Sequence, residues 1–135
     1  MITNSVFVYG TLRKGASNHF RMDGSEWVGK GIVEGSIYQI DSNPNLVFPA
    51  LKLDAGGRVL GEVYRVSDAQ LKALDDFEGI SERYEEPYEY RRLMTAVEME
   101  SGDKAYAWVW EWNSCLEGAK ILSEGDWLLY EPNPS

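Results

Sequence analysis

The sequence predicts an α+β fold: a small mixed β-barrel, closed or nearly closed, with one or two helices against its sides or an end. Three observations predict it. Extended segments greatly outnumber helical ones, and a single helix is well signalled. Aromatic residues make up 13% of the chain, with five Trp and eight Tyr, and such side chains favour sheet. The strands are short and punctuated by glycine turns, as in closed all-antiparallel architectures. The 135 residues suit one domain spanning 1–135, because no composition shift or repeat divides them. A chain of this size can bury one core without disulfides or metals.

Each element follows in order. Val6 to Tyr9 form an unbroken apolar run, so residues 5–9 read as a buried first strand. The run leads straight into Gly-Thr-Leu-Arg-Lys-Gly. A strand that stops at a glycine either turns a corner or exposes backbone N–H groups that cradle a small anion. These ten residues alone leave both readings open. Residues 16–29 are polar with scattered aromatics and read as irregular. Residues 31–40 and 58–66 fit strands. In the second, Val59, Gly61, Val63 and Arg65 share one face, and Leu60, Glu62, Tyr64 and Val66 the other. Between the two strands lie a turn, a short apolar piece and a second turn. Residues 67–79 carry the best helix signal: Ser67 as N-cap, Gln70 completing a capping box, and Gly79 as the stop. Residues 87–100 and 103–112 flank Ser101-Gly102-Asp103 as an antiparallel hairpin. Residues 115–130 are ambiguous and are read as a short helix near 116–123, then an extended Asp126–Tyr130. The last five residues, Glu-Pro-Asn-Pro-Ser, read as a polar, frayed end.

Charge and composition narrow the function. With 22 acidic and 13 basic residues the net charge is -9, which argues against a nucleic-acid or anionic-membrane partner. It leaves room for a small anionic substrate held by local dipoles. Cys115 stands alone, so no intramolecular disulfide can form, and it reads as a small buried side chain. No apolar stretch approaches the roughly 18 residues of a membrane span, and the first residues lack a signal peptide's charged region. A soluble, reduced, cytoplasmic protein is expected.

The helix carries the sharpest chemical signal. Leu71 and Leu74 mark its buried face, and Glu78 lies seven after the first and four after the second. At 3.6 residues per turn Glu78 shares their stripe, while Asp75 and Asp76 point elsewhere and look solvated. An inward carboxylate is costly unless paired, and burial raises its pKa. The bland alternatives are a frayed last turn with Glu78 in water, or a structural pair with an arginine. Other motifs are weaker. Residues 24–31 have the Gly-x4-Gly-Lys spacing of a phosphate loop, but Gly31 stands where a Ser or Thr must hold magnesium. His19 is the one histidine and reads as a loop residue bonded to backbone. With no His or Cys pair at ligand spacing, no metal is expected. Residues 82–92, charge-rich, read as a mostly solvated approach to a strand.

Two pieces taken together resemble a known family. "VFVYGTLRKGASNHF" near the start and "LDDFEG" some 60 residues later are similar to the γ-glutamylcyclotransferase-like superfamily, most of all its AIG2-like and γ-glutamylamine cyclotransferase branch. "FPAL" (48–51) and "GEVYRV" (61–66) resemble its intermediate landmarks, so the likeness covers roughly residues 5–112. The resemblance implies a small β-barrel with flanking helices and a cavity at one end. It also implies release of 5-oxoproline from a γ-glutamyl amine or γ-glutamyl amino acid, without metal or cofactor. Carried over by position, Tyr9, Gly10, Thr11 and Leu12 match the substrate-binding loop, and Glu78 matches the acid/base. Family members often carry Arg two residues after the tyrosine that follows the Glu motif. Here Tyr84, matched to substrate binding, is followed by Glu85 and Glu86. A non-catalytic binding or interaction module on the same fold is the alternative, and the sequence leaves the oligomeric state open.

Overall fold

The computed structural model describes residues 4–43, 46–54 and 56–130. With strands numbered along the chain, five of them close a barrel. Their order is β1 (Asn4–Val8), β5 (Arg58–Val66), β2 (Glu26–Glu34), β6 (Tyr90–Met99) and β7 (Lys104–Trp112). Neighbours are antiparallel except β1 and β7, which run parallel and close the ring with Val6 opposite Trp108. The barrel is therefore mixed. A second sheet of three strands has the order β4 (Leu46–Lys52), β3 (Ser36–Asn43), β8 (Lys120–Ile121). One α-helix, α1 (Asp68–Phe77), covers the barrel wall.

The unbroken apolar run in β1 has a simple cause: both its faces are buried. Val6 and Val8 pack with Leu71 and Leu74 of α1, while Phe7 and Tyr9 pack with Val59, Val63, Val97 and Val109. A strand covered on both sides has no use for polar alternation. The same holds for β5, whose residues 61–64 are buried without a break. Burying Leu71 and Leu74 stabilises the helix contact by about 1.5–3 kcal/mol each. Ser67 caps α1 by accepting from the Gln70 N–H (3.1 Å). The Gln70 amide, however, reaches the carbonyls of Arg21 (3.3 Å) and Asp23 (3.1 Å) and so ties α1 to the segment before β2. Gly79, with φ of +85°, follows the helix as expected. The hairpin of β6 and β7 around 101–103 also forms as expected.

Several expectations are corrected. The predicted strand 31–40 is two strands in two sheets, because the chain bends at Gly35, whose N–H donates to the Gly57 carbonyl (3.2 Å). The stretch 16–29 is not wholly irregular: His19–Met22 form a 3-10 turn, and β2 begins at Glu26. The Gly-x4-Gly-Lys spacing mostly falls in that strand, so it makes no phosphate loop. The helix near 116–123 is absent. Residues 120–121 pair with β3 instead, and the chain then passes so close to β5 that a Cβ on Gly125 would lie 1.8 Å from the Arg58 carbonyl oxygen. After it, Trp127–Leu129 form a 3-10 turn rather than extended chain, started by the Asp126 side chain accepting from the Leu128 N–H (3.1 Å). Cys115 is exposed, since it sits in the turn after β7, where its carbonyl accepts from the Trp112 indole (3.1 Å). The expected frayed end, 131–135, lies outside the described residues, as do parts of the turns near 44 and 55. Among the described residues no helix is long and apolar enough to cross a membrane.

Candidate active site

The site is built at the end of α1. Glu78 is the C-cap residue, and its N–H donates to the Leu74 carbonyl (2.9 Å). That bond keeps it in phase with the buried leucines although the helix has ended. The residue is half-buried, and desolvation of its carboxyl group is the largest influence on its proton affinity. Among the described residues the carboxylate has neither a hydrogen-bond partner nor an ion pair. Of the two bland readings, the arginine pair is absent among the described residues; the last turn does not fray, because the Glu78 N–H keeps its helical bond. Burial pushes its pKa up to about 8; the charge on Asp75 adds to the rise and Arg21 opposes it. The resulting group is ionised for part of the time near neutral pH and holds a proton for the rest, as a proton shuttle requires.

Two tyrosines share that neighbourhood. Burial raises the pKa of Tyr9, and the charge on Glu78 adds to it. Tyr90 is raised by burial, then by Tyr9 and Glu78. Both hydroxyls are anchored as donors, Tyr9 to the Trp110 carbonyl (2.8 Å) and Tyr90 to the Pro49 carbonyl (2.6 Å). Tyr9 therefore helps to wall the site and leaves its hydroxyl proton engaged. Tyr90 packs edge-on against Trp112 at 5.1 Å, with Phe48 against both rings.

The loop after β1 is the second half of the site. The Gly10 carbonyl accepts from the Arg13 N–H (3.0 Å), the Thr11 carbonyl from the Asn18 N–H (2.8 Å), and the Leu12 carbonyl from His19 Nδ1 (2.9 Å). Three consecutive carbonyls are thus tied into the loop. Among the described residues the N–H groups of Gly10, Thr11 and Leu12 meet no protein acceptor. Successive unpaired N–H groups of this kind form a concavity for an anion. His19 is bonded to backbone as expected, and its Nδ1 must carry the proton to do so. Gly10 is required by packing as well: a Cβ there would lie 2.3 Å from Pro49 Cγ. The loop is pinned from below by Arg13, which is buried. Its Nε meets Glu62 at 2.7 Å and its Nη1 meets Asp126 at 2.8 Å.

Asp75 corrects the sequence reading, which left it solvated. It accepts from the Trp110 indole (2.9 Å) and from Arg92 (2.8 Å), because the last turn of α1 lies over β6 and β7. Asp76 does stay near the surface, where Ser81 and then Arg83 lower its pKa. Tyr84 is exposed on the segment that follows, with the Arg83 guanidinium 4.9 Å from its ring. The structure brings Tyr9 and Glu78 together and leaves Tyr84 exposed at the surface. Tyr90, Asp75 and Arg21 are the neighbours of Glu78 that sequence reasoning missed. Strand parity could have exposed Tyr90. Nothing local marks Arg21, which lies in an aperiodic stretch. Among the described residues no cluster of three or more His, Cys, Asp or Glu side chains is placed to hold a metal ion.

Comparison with known proteins shows the family and the fold. Residues 6–129 match the family model described as "Gamma-glutamyl cyclotransferase, AIG2-like". A protein of Methanocaldococcus jannaschii is 31% identical over 127 residues, covering 93% of this chain and 96% of its own length. The gamma-glutamylaminecyclotransferase of Bos taurus is 33% identical over 101 residues, covering 69% of this chain and 56% of the bovine one. The crystal structure of an AIG2-like protein from Mus musculus superposes with a TM-score of 0.66 at 29% identity, covering 82% of this chain and 78% of that one.

Proposed function

The chain belongs to the AIG2-like γ-glutamyl cyclotransferase family, and from that premise we propose that it releases 5-oxoproline from a γ-glutamyl amine or γ-glutamyl amino acid. The single observation that carries the reading is Glu78: a half-buried residue whose carboxylate has no protein partner among the described residues, its pKa pushed up by desolvation to about 8. A structural acid would have a partner; a proton shuttle needs its oxygens free for substrate.

The substrate supplies both nucleophile and electrophile. Its α-amine attacks its own γ-carbonyl carbon, forming the ring C–N bond. The bond from that carbon to the leaving nitrogen then breaks. Glu78 takes one proton from the attacking nitrogen and gives one to the leaving amine, so the balance closes without water or cofactor. The N–H groups of Gly10, Thr11 and Leu12 hold the substrate's α-carboxylate or the developing oxyanion. Because both reacting groups belong to one molecule, folding it into attack geometry saves internal rotations only, a small part of the roughly 7–11 kcal/mol that positioning gives a bimolecular reaction. Tyr9 shapes the wall beside Glu78, and Tyr84 contributes at the rim.

The test is a panel of γ-glutamyl amides with mass-spectrometric detection of 5-oxoproline. Release from at least one amide is expected. Ligand-induced melting shifts without product from any of them would replace the enzyme by a binding module on the same fold.

A further inference from the structure

Resting on the cyclotransferase reading, in which the loop of Gly10, Thr11 and Leu12 holds the substrate, we infer that Asp126 is a positioning residue for that loop and acts on it through Arg13. The inference starts from an excess of acid. The buried Arg13 guanidinium meets Glu62 at Nε (2.7 Å) and Asp126 at Nη1 (2.8 Å). Glu62 is itself buried and suffices to neutralise the one cation. It also accepts from the Lys14 N–H (2.8 Å), so it already ties the end of the loop to β5. Asp126 is half-buried and gives the cluster more negative charge than positive. Surplus negative charge beside a loop that is to hold an anion works against binding. Its use there is therefore directional. One acid on Nε leaves the planar fork free to swing about that contact, whereas a second on Nη1 fixes its rotation.

Both ends of this brace are held. On one side the Gly125 carbonyl accepts from the Leu60 N–H of β5 (2.8 Å), and Trp127 is fully buried. Asp126 stands between these two anchors, and the Oδ1 that meets Arg13 also accepts from the Leu128 N–H (3.1 Å). On the other side the Arg13 N–H donates to the Gly10 carbonyl (3.0 Å), and the Arg13 carbonyl accepts from the Ala16 N–H (2.9 Å). The residue that Asp126 grips is thus the one that closes the turn carrying the free N–H groups. Those groups meet no protein acceptor among the described residues. Without an anion between them their dipoles repel, and a loop left to itself would relax by turning them apart. Rigid donors are what make such a cradle effective, because no reorganisation is then needed when charge arrives. Asp126 supplies that rigidity from 113 residues along the chain.

Three substitutions separate position from charge and from stability. Asp126→Ala removes the brace, Asp126→Asn keeps an oxygen for Arg13 without the charge, and Asp126→Glu keeps the charge and displaces the oxygen. Each is assayed on the γ-glutamyl amide that the wild-type protein turns over best, with melting temperature and folded fraction measured alongside. Asp126→Ala is expected to lower kcat/KM per folded molecule at least about tenfold, the scale of a displaced binding group. The midpoint of its pH–rate profile should stay in place, because Glu78 keeps its surroundings. Asp126→Asn should remain within about twofold of wild type, and Asp126→Glu should fall between the two. If Asp126→Ala does not fold, the order of the other two decides: position puts Asn above Glu, and charge puts Glu above Asn. A kcat/KM per folded molecule unchanged in Asp126→Ala, an equal loss in Ala and Asn, or a moved midpoint overturns the inference while leaving the cyclotransferase intact. Absence of 5-oxoproline from every γ-glutamyl amide with the wild-type protein overturns both.

Discussion

Glu62 near the middle of β5 is buried and Glu78 at the end of α1 is half-buried, and the two glutamates differ in what surrounds them. Glu62 accepts from Arg13 Nε (2.7 Å), from the Lys14 N–H (2.8 Å) and from the Tyr64 hydroxyl (3.2 Å). Glu111 at the end of β7 repeats that pattern with Arg91, Lys52 and the Leu53 N–H. Burial pushes Glu111 up, yet those partners outweigh it and hold its carboxyl below the ordinary range. Glu78 has burial without partners, and its pKa rises to about 8. The barrel can therefore neutralise a buried acid when it has use for the bond. At Glu78 it does not, and the oxygens stay available to something that is not protein.

The most severe way to break this comparison is Glu78→Gln, which keeps shape and removes the base. Loss of a general acid–base costs about 10²–10⁴ in rate, roughly 3–5 kcal/mol of barrier. The melting temperature should hold or rise, because an unpaired, desolvated charge has gone. Turnover and melting measured together decide it. Near-normal turnover by a folded variant would return Glu78 to the scaffold.

Glu62→Gln is the complementary change. It should destabilise the fold by about 3 kcal/mol, since it strips the buried Arg13 of one of its two acids. At this chain length that is on the order of 10 °C in melting temperature. Activity per folded molecule should fall far less than in Glu78→Gln, through slackening of the loop that Arg13 pins. A melting temperature within 1–2 °C of wild type would show that the pair adds little.

The pH dependence of stability should carry opposite signs at the two kinds of acid. Glu78 has a folded pKa raised above its unfolded value of 4.5. The folded state then binds the proton more tightly. Its contribution is complete below pH about 4.5 and is lost as pH rises through about 8. Glu111 has a lowered folded pKa, so its contribution is present above the unfolded value and is lost as pH falls through the folded one. Melting curves across pH 3–9 (roughly the span of both groups) read both limbs. Glu78→Gln should flatten only the alkaline limb, and Glu111→Gln only the acid limb. An alkaline limb unaffected by Glu78→Gln would mean that the carboxyl is solvated.

What the sequence could and could not reveal follows the same division. The helix, its cap and the inward phase of Glu78 depend on neighbours within seven residues, and all three were legible. So was the strand that stops at Gly10. The three free N–H groups were legible only as one of two options. What shapes that loop is bonding to Asn18 and His19, with the Arg13 brace from Glu62 and Asp126, 49 and 113 residues away. Residues 115–130 were misread because their conformation is set by β3 and β5 rather than by their own periodicity. Asp75 was misread for a related reason. Its helical phase points away from the leucine stripe, and phase alone cannot show that Trp110 and Arg92 wait there.

Asp75 supplies the smallest and sharpest prediction. Its charge lies near enough to Glu78 to raise the pKa of that group, and nothing else on α1 does so. Asp75→Asn keeps an oxygen for the Trp110 indole and removes the charge. Glu78 should then release its proton more easily, so the alkaline rise of kcat/KM with pH should move to lower pH by a fraction of a unit. The rate at the plateau should also fall, because a weaker base accepts the attacking nitrogen's proton less well. Asp76→Asn, which has the same chemistry one residue along and faces Ser81 and Arg83, should leave the midpoint in place. Full pH–rate profiles of the three proteins test this. Equal midpoints in Asp75→Asn and wild type would reduce Asp75 to an anchor for Trp110. A shift confined to Asp75→Asn would show that the unpaired state of Glu78 is tuned by a neighbour as well as by burial.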